Sequence, residues 1–129
     1  MDRNDLLKRT KDFALRIIKL VSALPKDRLG DILGRQILKS GTSVGANYRE
    51  ALRASSKRHF TTTIEIAERE ADETLYWLEL LFESAIIKPT RLSALMKENQ
   101  ELLRILSATA VTSKRRGILK KSEIRNQKS

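Results

Sequence analysis

The chain has 129 residues, of which 40% are hydrophobic, a size that suits one domain with a modest core and excludes a catalytic domain joined to a separate substrate domain. It contains no cysteine, which excludes disulfides, thiolate catalysis and cysteine-based zinc or iron–sulfur sites. The formal net charge is +10, and no apolar run approaches the roughly 18 residues that a membrane span requires. The sequence predicts a soluble cytoplasmic protein.

Apolar residues recur at helical spacing through most of the chain, and no useful length alternates with the period of two that a strand requires. The pattern predicts helices over about residues 5–24, 27–54, 56–84 and 90–112. The prolines, Pro25 and Pro89, fall at predicted junctions, and short connections favour antiparallel neighbours. The predicted fold class is therefore all-α, with residues 1–112 forming an antiparallel, up-down-up-down four-helix bundle.

Helix two carries glycines in and around the stretch KSGTSVGANYRE, residues 39–50. The stretch could be a loop that cradles phosphate or a helix with a close-packed face. A P-loop requires Gly-Lys followed by Ser or Thr, and a dinucleotide loop requires a preceding strand, and neither is present. On a helical wheel the glycines fall on the buried side. The sequence therefore favours a helix that a neighbour approaches closely through Gly30, Gly34, Gly41 and Gly45.

The segment 113–129 is strongly basic, with seven Lys or Arg residues and one Glu. It has too few apolar residues to contribute to a core, so we expect a tail that is disordered when free. A basic tail of this kind is suited to phosphate contacts with nucleic acid. The candidate residues are Lys114, Arg115, Arg116, Lys120 and Lys121.

Two polar stripes run along helix two, on the sides that the glycines do not occupy. The basic stripe supplies further candidates for nucleic-acid contacts, namely Arg49, Arg53 and Lys57. Its alternative interpretation is a solvated face or a partner for the acidic third helix. The second stripe is a polar seam with steps of four and three, formed by Gln36, Ser40, Ser43, Asn47 and Glu50. The seam predicts either a plain rim or a hydrogen-bonded contact with another helix that fixes register at some cost in stability.

Helix three presents large apolar residues away from the predicted core. Ile66, Trp77 and Leu80 share this second face with Glu73. Because exposed apolar clusters usually mark an interface, the sequence predicts a homo-oligomer that associates through these residues. The alternative is that the chain ends cover Trp77 within one subunit.

Enzymatic chemistry has little support in the sequence. A carboxylate-rich bundle with a di-iron centre needs two Glu-x-x-His pairs, whereas the chain has a single histidine, His59. That histidine has no spacing that favours a Ser-His-Asp arrangement. We therefore predict a protein without catalytic residues, metal or cofactor.

Part of the sequence resembles a known family. The most specific features are the pattern Ser43-x-x-x-Asn47-x-x-Glu50 and the block Glu-Thr-Leu-Tyr-Trp-Leu that begins at Glu73. Over roughly residues 8–112 the chain resembles the four-helix-bundle proteins found in intervening sequences of bacterial 23S rRNA genes. The resemblance implies a homopentameric ring of antiparallel bundles.

The same resemblance extends to the accessory variability determinant of diversity-generating retroelements, which binds nucleic acid and a reverse transcriptase. Charge and resemblance together predict a non-enzymatic, oligomeric protein that binds nucleic acid with little sequence preference. RNA is the first candidate. The alternative prediction is a protein-interaction scaffold or accessory factor that recruits a partner such as a reverse transcriptase.

Overall fold

A computed structural model describes the backbone of residues 1–128 and the side chains of residues 1–118 and of Arg125. Its elements are α1 (Arg3–Ser22), α2 (Arg28–Leu52), α3 (Lys57–Ser84) and α4 (Pro89–Lys128). No strand occurs in this described part of the chain, so the all-α prediction is confirmed. None of the described helices combines the length and the apolar character needed to cross a bilayer.

Local side-chain chemistry explains where the helices begin. Asp2 and Asp5 form a capping box at the start of α1. The side chains of Asp27 and Ser56 cap α2 and α3 by accepting backbone N–H groups three residues ahead, at 2.8 and 3.0 Å. Pro89 begins α4, where its missing N–H costs no helical hydrogen bond.

Consecutive helices pack side by side and antiparallel, as predicted. Asn99 Nδ2 donates to the carbonyl oxygen of Ala71 at 2.9 Å and so ties α4 to α3. Arg9 and Glu98 form a two-bond ion pair, at 2.5 and 3.1 Å, which closes α4 onto α1. The core between the helices draws on all of them, with Phe13, Ile37, Leu78 and Leu102 among its fully buried side chains.

The glycine face of α2 packs directly against α1. A Cβ atom added at Gly41 would lie 2.8 Å from Cγ1 of Ile17, and one added at Gly45 would lie 3.2 Å from Cβ of Thr10. Side chains at these positions would therefore push the two helices apart. α2 is continuous through the glycines, which confirms the close-packed helix and excludes the phosphate loop.

α4 is longer than the sequence analysis predicted. The fourth helix was expected to end at residue 112, with a disordered tail over residues 113–129, whereas the structure continues the helix to Lys128. The physical reason is local, because Lys, Arg, Leu and Glu have good helix propensity and the segment contains a single glycine, Gly117. A lack of core residues indicates that a segment is not packed, but it does not indicate that the helix stops.

The end of α4 projects beyond the bundle. Thr61 Oγ1 and Ser113 Oγ share a hydrogen bond, which places Ser113 level with the first turns of α3. From there α4 continues to Lys128, for a length of roughly 22 Å at about 1.5 Å per residue. Ile118, just beyond the bundle, is 68% exposed. We call residues 114–128 the projecting segment.

Candidate nucleic-acid interface

The end of the bundle from which α4 projects contains an open cleft of about 760 Å³. α1 begins at this end, α2 passes into α3 through a short turn, and α4 runs past both. The lining therefore combines residues that are far apart in sequence. Its cationic members are Arg3, Lys57, Arg104 and Arg116. We call this feature the basic cleft.

The charges of the basic cleft are of one sign, since none of its described lining residues carries a carboxylate. Glu101, outside the lining, holds Arg104 through hydrogen bonds of 3.0 and 2.7 Å. This contact raises the pKa of Arg104 and lowers the pKa of Glu101. Ion pairs among the described residues include none of the other three cations, Arg3, Lys57 and Arg116. Such an arrangement produces a positive potential that attracts anions.

The start of α3 contributes to the same potential. Ser55 and Ser56 line the basic cleft, and Ser56 is the N-cap of this helix. The amino-terminal end of a helix carries a partial positive charge from its aligned peptide dipoles. The turn thus adds polar groups and a favourable dipole to the cations around it.

Part of the wall of the basic cleft is apolar or aromatic, beside the serine and threonine residues that also line it. It includes Tyr48, Phe60 and Ile105, of which Tyr48 is only 4% exposed. Burial raises the pKa of the Tyr48 hydroxyl, and the nearby charge of Arg3 opposes this with a smaller effect. The hydroxyl therefore remains protonated at neutral pH and can donate a hydrogen bond.

The structure brings some of the predicted phosphate contacts together and separates others. Lys57 and Arg116 line the basic cleft, and Arg115 is exposed on α4 beside it. Lys114 is engaged elsewhere, because its Nζ lies 2.9 Å from Oε2 of Glu65, which raises the pKa of Lys114. The side chains of two further predicted contacts lie outside the described residues, namely Lys120 and Lys121.

The basic stripe predicted along α2 is divided in the structure. Arg53 follows the last residue of α2 and is exposed. Arg49 is also exposed, but it lines a separate groove between α1 and α2. Of the three predicted residues, Lys57 alone is part of the basic cleft.

The polar seam makes its hydrogen bonds within α2. Ser40, Ser43 and Asn47 donate to backbone carbonyl groups four residues earlier, at 3.0, 2.6 and 2.8 Å. Gln36 is half-buried and Glu50 is exposed. No hydrogen bond joins this seam to another helix among the described residues, so a role in fixing register stays a prediction.

The predicted interface residues of α3 lie at the surface. Ile66, Trp77 and Leu80 are half-buried, and Glu73 is exposed. Trp77 packs partly against the core, and its Nε1 lies 3.4 Å from a Glu73 carboxylate oxygen. The ring of Tyr76, which is 53% exposed, meets the Trp77 indole edge-on at 5.3 Å between centroids.

α2 adds two apolar residues to this surface that the sequence analysis missed. Leu29 and Ile32 are 54% and 52% exposed. Glu50 Oε1 lies 3.8 Å from His59 Nε2, so these two residues lie level with each other on the antiparallel helices α2 and α3. Counting along both helices from this pair places Ile32 level with Trp77. We call the surface formed by Leu29, Ile32, Ile66, Trp77 and Leu80 the α2–α3 face.

A buried polar residue also escaped the sequence analysis. Asn99 is fully buried, and although its Nδ2 donates to Ala71, its Oδ1 has no hydrogen-bond partner among the described residues. The available signal was its position, since Asn99 lies on the apolar stripe of helix four between Leu95 and Leu102. A polar residue on such a stripe indicates a polar group in the core.

The acidic residues of α3 do not assemble a metal site. No group of three or more His, Asp or Glu side chains able to hold a metal ion occurs in the part of the chain that the structure describes. Glu65 instead pairs with a lysine of α4, as described above. Burial raises the pKa of Glu70, with the neighbouring Glu73 charge acting in the same direction.

Comparisons with known proteins agree with the fold. The family model described as "23S rRNA-intervening sequence protein" matches residues 2–108. A solved structure, of a protein with unknown function from the S23 ribosomal protein family of Bacteroides thetaiotaomicron, is similar, with 35% sequence identity and a TM-score of 0.79. The similarity covers 85% of this chain and 98% of that one. No curated protein matches the chain significantly. Neither description names an enzymatic activity. The chain belongs to the 23S rRNA-intervening sequence protein family.

Proposed function

We propose that the protein is a non-enzymatic, oligomeric helical bundle that binds nucleic acid through phosphate contacts at one end of the bundle. The first candidate is RNA. The observation that carries the proposal is the basic cleft, where four cations converge without a carboxylate among the described lining residues. Each Lys or Arg that neutralises a phosphate releases condensed counterions, which is the main source of affinity in binding of this kind. The cations of the cleft are Arg3, Lys57, Arg104 and Arg116.

The projecting segment extends this surface. Arg115 and Arg125 are exposed on it, Arg115 beside the basic cleft and Arg125 further along the helix. A helix that protrudes into solvent can lie along a phosphate backbone without displacing other parts of the bundle. The family match ends at residue 108, so this extension is a feature of the present chain outside the matched region.

RNA is the first candidate because of the context in which the relatives are named. The family is named for sequences that lie within 23S rRNA, and the similar solved structure is that of a protein from the S23 ribosomal protein family. Phosphate contacts position a nucleic acid but carry no sequence information directly. We therefore expect the protein to bind with little sequence preference.

A matched pair of triple variants tests this proposal in a filter-binding titration with RNA. In the cleft variant, glutamine replaces three cations of the basic cleft: Arg3, Lys57 and Arg116. In the control, glutamine replaces three exposed cations at the opposite end of the bundle: Lys19, Lys26 and Arg91. Both variants have the same net charge, so a difference between them reports position and not charge alone.

We expect the cleft variant to lose most of its affinity and the control to remain close to wild type. Equal losses in both variants would contradict the proposed location. A wild-type protein that binds no nucleic acid but retains a polypeptide partner would favour the alternative, a protein-interaction scaffold.

The oligomer is part of the same proposal, with five subunits as the family resemblance implies. The α2–α3 face supports it, because Leu29 and Ile32 there are exposed in a single subunit, beside the half-buried Trp77. A second apolar patch, around Leu15 and Ile18 of α1, is 54% and 45% exposed. Closed rings are built from two different surfaces on each subunit, which fits the presence of two patches.

Light scattering tests the assembly. We expect a mass several times the 14.7 kDa of one chain. Trp77→Glu should dissociate the oligomer because it would bury a charge at the contact. Val111→Glu, which replaces a residue 50% exposed on α4 away from the α2–α3 face, serves as the control and should keep the wild-type mass. A monomeric wild type would show the proposed interface to be wrong.

A further inference from the structure

We infer that the basic cleft holds an unpaired nucleotide, with its phosphate on the cations and its base against the apolar wall. The protein would then prefer single-stranded nucleic acid to a duplex. This inference rests on the proposed function and goes further, because phosphate contacts alone favour the duplex, which has the higher charge density.

The shape of the site is the first argument. A volume of about 760 Å³ lies within the range of roughly 300–1,000 Å³ typical of pockets that enclose small ligands. Phosphate contacts to a duplex require only a basic surface, on which the backbone of the nucleic acid rests. A concave site of this size accommodates a group that leaves the stack, and a base held in a duplex cannot enter it without unpairing.

The composition of the wall is the second argument. Phe60 and Ile105 present apolar surface on the same cleft that carries Arg3 and Arg116. Sites for single strands combine cations that follow the backbone with aromatic side chains that bases pack on, and this contact tolerates every base. Tyr48, whose hydroxyl is protonated and can donate a hydrogen bond, lines the same cleft.

The site is already formed before a nucleotide binds. Tyr48 and Ala51 are 4% and 1% exposed, so the bundle core fixes them in place. Phe60 and Ile105 pack partly against the same core. A preformed wall loses little conformational freedom on binding, which favours affinity.

A variant that fills the cleft without changing its charge tests the inference. Ala108 and Thr112 line the basic cleft one helical turn apart, and both are exposed. The double variant Ala108→Leu, Thr112→Leu therefore narrows the cleft while leaving the core and all cations intact. Thr90 and Ala94 form a matched pair at the other end of α4, also exposed and one turn apart. Thr90→Leu, Ala94→Leu is the control.

Binding is measured on the full-length proteins with short oligonucleotides of mixed sequence at one salt concentration. The probes are single-stranded RNA, single-stranded DNA, and duplexes with the same number of phosphates. We expect wild type and control to bind the single strands about tenfold more tightly than the duplexes, the effect of about one packed base. The cleft-filling variant should lose this preference and keep its duplex affinity.

The RNA and DNA arms separate two sources of the same chemistry. Loss of affinity for both single strands supports a site for phosphate and base, and loss for RNA alone supports a site that also contacts the 2′-hydroxyl. Wild type that binds duplex as tightly as single strand, or a cleft-filling variant that behaves as the control does, would overturn the inference while leaving the proposed function intact. Absence of any binding by wild type would overturn both.

Discussion

The two ends of α2 pack against their surroundings in opposite ways. From Gly34 to Gly45 the helix lies so close to α1 that a Cβ atom added at each glycine would lie within 3.3 Å of an α1 side chain. At Tyr48, Ala51 and Leu52, only a turn further on, the same helix lines an open cleft. At the closed end the glycines of α2 face α1, whereas the open end gathers cations from α1, α3 and α4.

The difference shows what keeps the cleft open. Cations without a counter-charge resist burial, because a charged group taken out of water without a partner is strongly destabilised. Arg3, Lys57 and Arg116 therefore remain in solvent, and the helices that carry them do not close over the apolar wall. The closed end stabilises the bundle, and the open end leaves a surface available for binding.

The largest effect expected from this comparison is on stability at the closed end. Gly41→Leu should lower the free energy of unfolding by about 3 kcal/mol, because even its Cβ would lie 2.8 Å from Ile17 Cγ1. Gly117→Leu is the control, since nothing lies within 4 Å of a Cβ atom at that helical position. The control should be as stable as wild type or slightly more so, given the low helix propensity of glycine.

Urea unfolding followed by circular dichroism measures both variants. Equal midpoints for Gly41→Leu and wild type would show that α1 moves away at little cost, and the close-packing argument would then be wrong.

At the open end we expect the reverse, a change in binding without a loss of stability. Arg116→Glu should weaken RNA binding by about tenfold, because it removes one phosphate contact and adds a repulsive charge. Its melting temperature should stay at the wild-type value, since Arg116 is exposed. A filter-binding titration and a thermal melt on the same preparation suffice. A clear fall in melting temperature would mean that the cleft cations hold the bundle together.

A smaller effect on stability is expected at Asn99, where α3 and α4 meet. Asn99→Leu should raise the free energy of unfolding by about 1 kcal/mol, because it removes a buried acceptor that has no partner among the described residues. Asn99→Ala is the comparison variant and should be less stable than Asn99→Leu, as it leaves a cavity. Denaturant unfolding of the three proteins gives the order. A leucine variant less stable than wild type would indicate that Oδ1 has a partner such as a bound water.

The smallest difference concerns two neighbouring residues of α4. Lys114 is held by Glu65 at 2.9 Å, whereas Arg115 is exposed and makes no ion pair among the described residues. Lys114→Gln should therefore weaken RNA binding less than Arg115→Gln does. Each variant removes one positive charge, so comparing the two affinities at low salt isolates the effect of the ion pair. The opposite order would mean that RNA displaces Glu65.

The fold was predictable because it depends on features that are local in the sequence. The spacing of Phe13 and Ile17 predicts the buried side of α1, and the wheel position of Gly41 predicts that a neighbouring helix approaches closely there. The length of α4 was not predictable from the same reasoning, because beyond Ser113 no packing signal remains and helix propensity alone decides.

The basic cleft was predicted only in part. Lys57 and Arg116 stood out as members of charged stretches, but nothing in either stretch indicates that they share one site. Arg3 and Arg104 join them only once α1 lies beside α4 and α3 begins next to Ser113. The signal that was available is the helix order itself, since in an antiparallel bundle the start of the first helix lies beside a distant part of the fourth.

The salt dependence of RNA affinity tests most directly whether the cations of the basic cleft contact phosphates. Affinity for single-stranded RNA is measured over a range of salt concentrations for wild type and for the triple glutamine variant at Arg3, Lys57 and Arg116. Each phosphate contact contributes about 0.7 to the slope of log affinity against log salt, so removal of three contacts should lower the slope by about 2. An unchanged slope, or an affinity that does not depend on salt, would contradict the account.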